Sequence, residues 1–307
     1  MQQALIYPCP TQQKREIVLA RVAGVCFGVR RAIDIALQTR NEKTGKITVL
    51  GHLVHNAHVL HTLKKQGIDT ATDITDIKEG TVLLSAHGVS PQTVETLTQK
   101  SLPLVDVTCP FVTKVHRMAR LLCEQGYPIV LVGDSGHTEV NGILGAIQHY
   151  GGTAWLVSTP EQVATLPLGK KVGVLSQTTQ TSAVYGSIVA EVSRRVTDVR
   201  AINTICGATD ELQSAARDLA RSVDVVLVIG GKNSANTRRL RELCEQEGIP
   251  SYHIESENDI DPQWLKNKPR IGITAGASTP DCLIESVARW LNDGELPQNW
   301  SLHHPDE

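Results

Sequence analysis

The chain has 307 residues with 30 basic and 32 acidic side chains, a net charge of −2, and only 4% aromatic residues. That length is enough for a substantial core in one domain or several small ones. The absence of a basic excess and the scarcity of aromatic residues argue against a protein that works on nucleic acid.

The start, MQQALIYPCPTQQKRE, lacks the basic and then apolar pattern of a secretory leader. The longest apolar run, VDVVLVIGG at 223–231, is too short to span a bilayer. The reading is a soluble, cytoplasmic protein with no membrane and no nucleic-acid partner. Seven cysteines, none in a C-x-x-C pair, then point to catalytic, metal-bound or buried thiols rather than disulfides.

In chain order, short β-rich runs alternate with helical patterns: KITVLG (46–51), TVLLSAHG (81–88), LPLVDVTC (102–109), YPIVLVGD (127–134), KKVGVLSQ (170–177), DVVLVIGG (224–231) and PRIGITAG (269–276). Such alternation predicts an α/β fold with parallel strands, whose loops at the carboxyl edge bind ligands.

A threefold repeat lies in the spacing. Cys26, Cys109 and Cys206 each follow an extended run (ARVAGVC, LVDVTC, AINTIC) and precede a helix. Each is followed by helix, strand, polar loop and second helix, then a glycine suited to end that helix. From Cys26 to Gly67 is 41 residues, from Cys109 to Gly151 is 42, and from Cys206 to Gly248 is 42. The repeat predicts three similar small α/β domains with mostly parallel sheets around a pseudo-threefold axis. They span 26–108, 109–205 and 206–292; the strand at 16–24 completes the third, residues 1–15 are an extension and 293–307 a tail.

Three equivalent cysteines converging on the axis suit a [4Fe–4S] cluster with three thiolate ligands and one open iron; zinc with three ligands and water is the rival. Each cysteine sits at a helix start, which favours anionic sulfur. Cys123 and Cys244, in matching helix ends, read as structural. Cys282 reads as a packing residue of the last helix, and Cys9 as part of a Pro-flanked tail.

The six loops are GHLVHN (51–56), GDSGHTEV (133–140), GGKNSANT (230–237), SAHGVS (85–90), SQTTQT (176–181) and AGASTP (275–280). They are rich in His, Ser, Thr, Asn and Gly, a set of neutral donors suited to a phosphate or diphosphate. Neither a Walker loop nor G-x-G-x-x-G occurs. Histidines 55, 87 and 137 lie in these loops; His52, His58, His61, His116, His149 and His253 read as surface or packing residues. Besides Asp134, Glu139 is the only loop acid. Near an anionic cofactor and ligand it would stay protonated and serve as a proton donor; the alternative is a first-turn acid stabilising its helix.

The motifs AGVCFGVRRAI, LVHN, SAHGVS, DVTCPFVTKVH, GHTEVNG, SQTT, TICGAT, GGKNSANT and TAGAS resemble, in that order from about residue 17 to 290, the 4-hydroxy-3-methylbut-2-enyl diphosphate reductases of the non-mevalonate isoprenoid route. The resemblance implies one [4Fe–4S] cluster on Cys26, Cys109 and Cys206, and diphosphate contacts from His55, His87, His137, Ser234, Asn236 and Ser278. Glu139 falls on the family's proton donor, and Thr178, beside Gln177, on the proton relay near the substrate hydroxyl. Ala235 stands where the family often has serine, leaving a backbone amide. Val25 replaces a common phenylalanine and Gly207 a common tyrosine. The implied reaction removes the substrate's hydroxyl reductively, with electrons from ferredoxin or flavodoxin, and yields isopentenyl and dimethylallyl diphosphate. A non-redox iron–sulfur hydratase or dehydratase, and a cluster-based sensor or binding module, are the alternatives.

Overall fold

The computed structural model of the chain describes residues 15–297 and 300–305. The chain begins with strand β1 (Glu16–Leu19) and helix α1 (Phe27–Glu42). It continues through β2 (Ile47–Leu50), α2 (Ala57–Lys65), β3 (Ile68–Ala71), β4 (Thr81–Leu84), α3 (Pro91–Gln99) and β5 (Leu104–Asp106). A second passage gives α4 (Pro110–Glu124), β6 (Ile129–Val132), α5 (Thr138–His149), β7 (Ala154–Val157), α6 (Pro160–Val163), β8 (Lys171–Ser176), α7 (Ser182–Arg195) and β9 (Asp198–Ala201). A third gives α8 (Gly207–Ala220), β10 (Val225–Ile229), α9 (Ala235–Gln246), β11 (Ser251–Ile254), β12 (Arg270–Ala275) and α10 (Asp281–Leu291).

Three sheets result, ordered β3-β2-β4-β5, β7-β6-β8-β9 and β11-β10-β12-β1, and every neighbouring pair in them is parallel. The orders coincide once β1 stands for the strand that the third passage lacks, and it does so by pairing Glu16–Leu19 with Arg270–Ile273. The strand is shorter than the 16–24 expected from sequence. Beyond Leu19 the segment runs alongside β12 with only Ala20 and Gly24 donating to Ile273 and Ala275.

The inner strands ITVL, IVLV and VVLVI are buried at every position, as expected where helices cover both faces. The edge strands IDTA, AWLV and SYHI were not among the runs read from sequence. Each is four residues long and partly exposed, so it lacks the continuous apolar signature that marks a buried strand. Each follows one of the three repeat glycines. Gly67, Gly151 and Gly248 sit two residues past the last residue of α2, α5 and α9 with φ of 79°, 68° and 81°, a left-handed turn that glycine makes without steric strain.

The repeat is kept in volume as well as in order. In the second unit Leu122 of α4 packs where Gly173 of β8 leaves room, and in the third Leu219 of α8 does the same at Gly272 of β12. Both leucines lie 13 residues after their cysteine. The corresponding positions in the first unit are Thr39 and Thr81, both buried, so a helix residue smaller than leucine goes with a strand residue larger than glycine. Close-packed interiors demand such compensation.

The units close into a ring. Helix α5 packs on α3 through Gly145, where a Cβ would stand 2.5 Å from that of Ser90. Gly231 lies against the His55 carbonyl, and Arg239 of α9 reaches Asp134 beyond β6 at 3.1 Å.

A Cβ on Gly173 would fall 2.7 Å from Leu122 Cδ1. Gly173→Ala is therefore expected to destabilise the protein by about 1–3 kcal/mol, with part of the loss recovered by adding Leu122→Val. Urea unfolding of both variants checks this; a parent-like midpoint for Gly173→Ala alone would contradict the packing.

Candidate functional site

Cys26, Cys109 and Cys206 are the residues immediately before α1, α4 and α8. Their backbone amides are fixed in one way three times. Each donates at 3.0 Å to a carbonyl in the loop after the neighbouring inner strand: Cys26 to Ala277, Cys109 to Ala86, Cys206 to Thr178. All three side chains line one cavity of about 110 Å³ at the meeting point of the units. Gly28 lies so close to the second thiol that a Cβ there would stand 2.5 Å from Cys109 Sγ.

The helix starts do favour anionic sulfur, since the amides of Phe111 and Val112 face Cys109 and those of Ala208 and Thr209 face Cys206. Burial outweighs them. It pushes Cys109 up and Cys206 to about 12, with Cys26 and Cys109 adding repulsion at Cys206. Burial thus opposes the lowering expected from the helix starts at Cys109 and Cys206, and a bound cation would have to displace their protons. Among the described residues, no three His, Cys, Asp or Glu side chains are grouped tightly enough to chelate a single metal ion.

Loop residues cover the rest of the cavity. His55, His87, His137, Glu139, Thr178, Ser234, Ala235, Asn236 and Ser278 all line it. The histidines form a cluster, with ring centroids 4.1 Å apart for His55 and His87, 5.2 Å for His55 and His137, and 5.9 Å for His87 and His137. Burial, then mutual repulsion, lowers His55 to about 4 and holds His87 well below its ordinary value; burial lowers His137 too. All three therefore favour the neutral form at pH 7. His137 precedes α5 and its Nδ1 accepts from the Glu139 amide at 3.2 Å, which leaves its proton on Nε2.

Several polar atoms have no partner among the described residues. Nδ1 of His55, Nδ1 of His87, and both side-chain amide atoms of Asn236 are buried without a hydrogen bond. Leaving such groups unsatisfied costs about 1–3 kcal/mol each, so their gathering on one cavity marks a place for a polar ligand. Ser234 caps α9 by accepting from the Thr237 amide, and Ser278 donates to the His55 carbonyl at 3.3 Å.

Glu139 is only 2% exposed. Its two carboxyl oxygens meet the amide and hydroxyl of Thr178, each at 2.7 Å. Burial raises its pKa to about 7, Asp134 adds to the rise, and the two bonds from Thr178 oppose it. A carboxylic acid that keeps its proton near neutrality is suited to act as a general acid.

Not every expected residue reaches the cavity. Gln177 is buried behind its wall, accepting from the Asp134 amide at 2.9 Å and donating to Thr179 Oγ1 at 2.8 Å. Cys282, expected to pack, is exposed at the start of α10 with its sulfur 3.7 Å from His58 Nε2. Cys244 is buried and Cys123 partly so, as read from sequence. Cys9 lies outside the described residues. Thr179, Thr209 and the apolar group Val54, Phe111 and Val112 also line the cavity and were not singled out. The signal that could have found them is their place inside the motifs LVHN, DVTCPFVTKVH, SQTT and TICGAT.

Three parallel α/β units that enclose a cavity lined by thiols, unpartnered polar side chains and one buried acid define the class. Residues 17–292 match the family described as LytB protein, and the chain belongs to that family. It is 42% identical over 278 residues to the 4-hydroxy-3-methylbut-2-enyl diphosphate reductase of Geobacter metallireducens, covering 91% of this chain and 97% of that protein. To the enzyme of that name from Aquifex aeolicus it is 40% identical over 273 residues, 89% and 94% of the two chains. Among solved structures it is similar to an (E)-4-hydroxy-3-methyl-but-2-enyl diphosphate reductase described as the terminal enzyme of the non-mevalonate pathway, with 39% identity, a TM-score of 0.67 and coverage of 91% and 99%. The E-1-hydroxy-2-methyl-but-2-enyl-4-diphosphate reductase of Plasmodium falciparum overlays with a TM-score of 0.86 at 29% identity, covering 96% and 92%. No helix among the described residues is long and apolar enough to cross a membrane.

The raised Glu139 pKa has a thermodynamic consequence. The folded state holds this proton more tightly than an ordinary carboxyl of pKa 4.5. The stabilisation is complete below pH 4.5 and is lost as pH rises through about 7, a change of about 3 kcal/mol. In cluster-free protein, the parent is expected to lose that much stability relative to Glu139→Gln between pH 4 and 8, as read by urea unfolding. Parallel pH profiles for the two proteins would contradict the assignment.

Proposed function

We propose that the chain reduces 4-hydroxy-3-methylbut-2-enyl diphosphate to isopentenyl and dimethylallyl diphosphate in the cytoplasm, as the last step of the non-mevalonate isoprenoid route. The balance is one alcohol, two electrons and two protons in, one alkene diphosphate and one water out. The observation that carries the reading is the juxtaposition on one cavity of three equivalent thiols, a buried acid poised at about pH 7, and a set of unpartnered neutral donors.

Cys26, Cys109 and Cys206 would hold a [4Fe–4S] cluster; the donor set fits it, being three soft sulfurs with helix-start amides aimed at them. When bound, the cluster supplies electrons, received one at a time from ferredoxin or flavodoxin, and an iron with an open position. His55, His87, His137, Ser234, Asn236, Ser278 and the backbone at Ala235 would bind the diphosphate. Neutral histidines serve this role well, because an arriving anion raises their pKa and converts weak donors into charged ones. Glu139 would deliver its proton to the departing hydroxyl oxygen. Thr178 holds both carboxyl oxygens and so fixes the direction of transfer. Gln177 acts from behind, holding Thr179 and the Asp134 loop in place. The apolar group Val54, Phe111 and Val112 would cover the hydrocarbon part and exclude water. The matching domain division is 26–108, 109–205 and 206–292, with 16–24 joined to the last.

The test is anaerobic purification, an absorption spectrum and an assay on the hydroxylated allylic diphosphate with a chemical reductant. Glu139→Gln is expected to keep the cluster absorbance and lose turnover by about 10²–10⁴-fold. Cys206→Ser is expected to lose the absorbance itself, and Asn236→Ala to raise KM more than it lowers kcat. Full turnover by Glu139→Gln, or turnover without reductant, would overturn the reading.

A further inference from the structure

On the far side of His55 and His137 lies a second compartment of about 340 Å³, lined besides by His52, Asp134, Thr138, Asn233 and Arg238. Thr138, Asn233 and Arg238 are exposed, whereas Glu139, Ser234 and Asn236 of the inner cavity are buried. The compartment thus opens to solvent and the inner cavity lies behind it. His55 and His137 line both and so stand between them. His55 Nε2 meets Thr138 Oγ1 at 3.2 Å across the mouth.

The charges have a direction. Asp134 Oδ1 is engaged from behind by Arg239 and by Gln180, each at 3.1 Å. Arg238 stands 3.8 Å from the other oxygen with its side chain 45% exposed. It is the exposed cation of the compartment; its field adds to the lowering of His55, and at His137 it acts against the larger opposite effect of Asp134. Arg238 and Asn233 flank the turn whose Ser234 and Asn236 line the inner cavity.

We propose that this compartment is the access site for the diphosphate, in which Arg238 and Asn233 capture the anion before it passes the His55–Thr138 contact to the inner donors. The proposal rests on the function proposed above and adds a path to it. Steering by one exposed cation raises association rate and is screened by salt.

The test uses the cluster-loaded enzyme and the allylic diphosphate at about 20 to about 500 mM salt. Arg238→Gln is expected to lower kcat/KM about tenfold at low salt, more than it lowers kcat, and to converge on the parent at high salt. Arg238→Lys recovers most of the loss. Arg194→Gln, which removes an exposed arginine paired with Glu191 on α7, leaves the salt slope unchanged. Calorimetry with inorganic diphosphate is run on the same proteins and is expected to show weaker binding to Arg238→Gln at low salt. If the parent fails to reduce the allylic diphosphate, the proposed reaction is wrong, and the calorimetry still decides the role of the compartment. A parent-like salt dependence of diphosphate binding in Arg238→Gln overturns the proposal; thermal unfolding verifies that the variant is folded.

Discussion

Thr178 commits all three of its polar groups. Its amide and hydroxyl hold the two oxygens of Glu139, and its carbonyl accepts from the amide of Cys206. The acid and the third thiol are thereby tied to one residue in the loop after β8. The other two thiols are fixed by the matching carbonyls of Ala86 and Ala277, so the position of the acid relative to all three sulfurs follows from the packing of the sheets. A mobile side chain on a surface loop would not hold that register; a loop pinned at a strand end does.

Burial then determines the charge state. Removing water disfavours every ionised form. It lifts Glu139 to about 7 and Cys206 to about 12, and lowers His55 to about 4. Burial consequently favours the uncharged forms of these groups, although the cavity is lined by titratable side chains. A bound inorganic group or an anionic ligand would redraw this balance, so binding and proton uptake or release are linked through the same few residues.

Approximate symmetry supplies the frame, and departures from it supply the chemistry. Two residues after the position that caps the second helix of each unit stand His58, Glu139 and Asn236. Only the second unit places a carboxylate there. The first departs further, since Asn56 caps α2 in the place that His137 and Ser234 hold in the other units. The Thr39 and Thr81 pair against Leu122 and Gly173 shows a parallel freedom in the core: side chains change while the combined volume is kept.

The sequence by itself determined the parallel α/β class, the three units, the equivalence of the cysteines and the polar residues at the centre of the cavity, its three thiols, three histidines and Glu139 among them. Regular spacing and continuous apolar runs are local signals, and motifs at strand ends must fall on one edge of a parallel sheet. It did not reveal the edge strands β3, β7 and β11, whose partial exposure erases the apolar run. The pKa of Cys206, the exposure of Cys282 and the placement of Gln177 behind the wall were decided by tertiary structure. So was the compartment at Arg238, because desolvation and side-chain direction depend on what packs against a residue from other units, and neighbours 100 residues away in sequence, such as Asp134 and Arg239 with a separation of 105, leave no periodic trace.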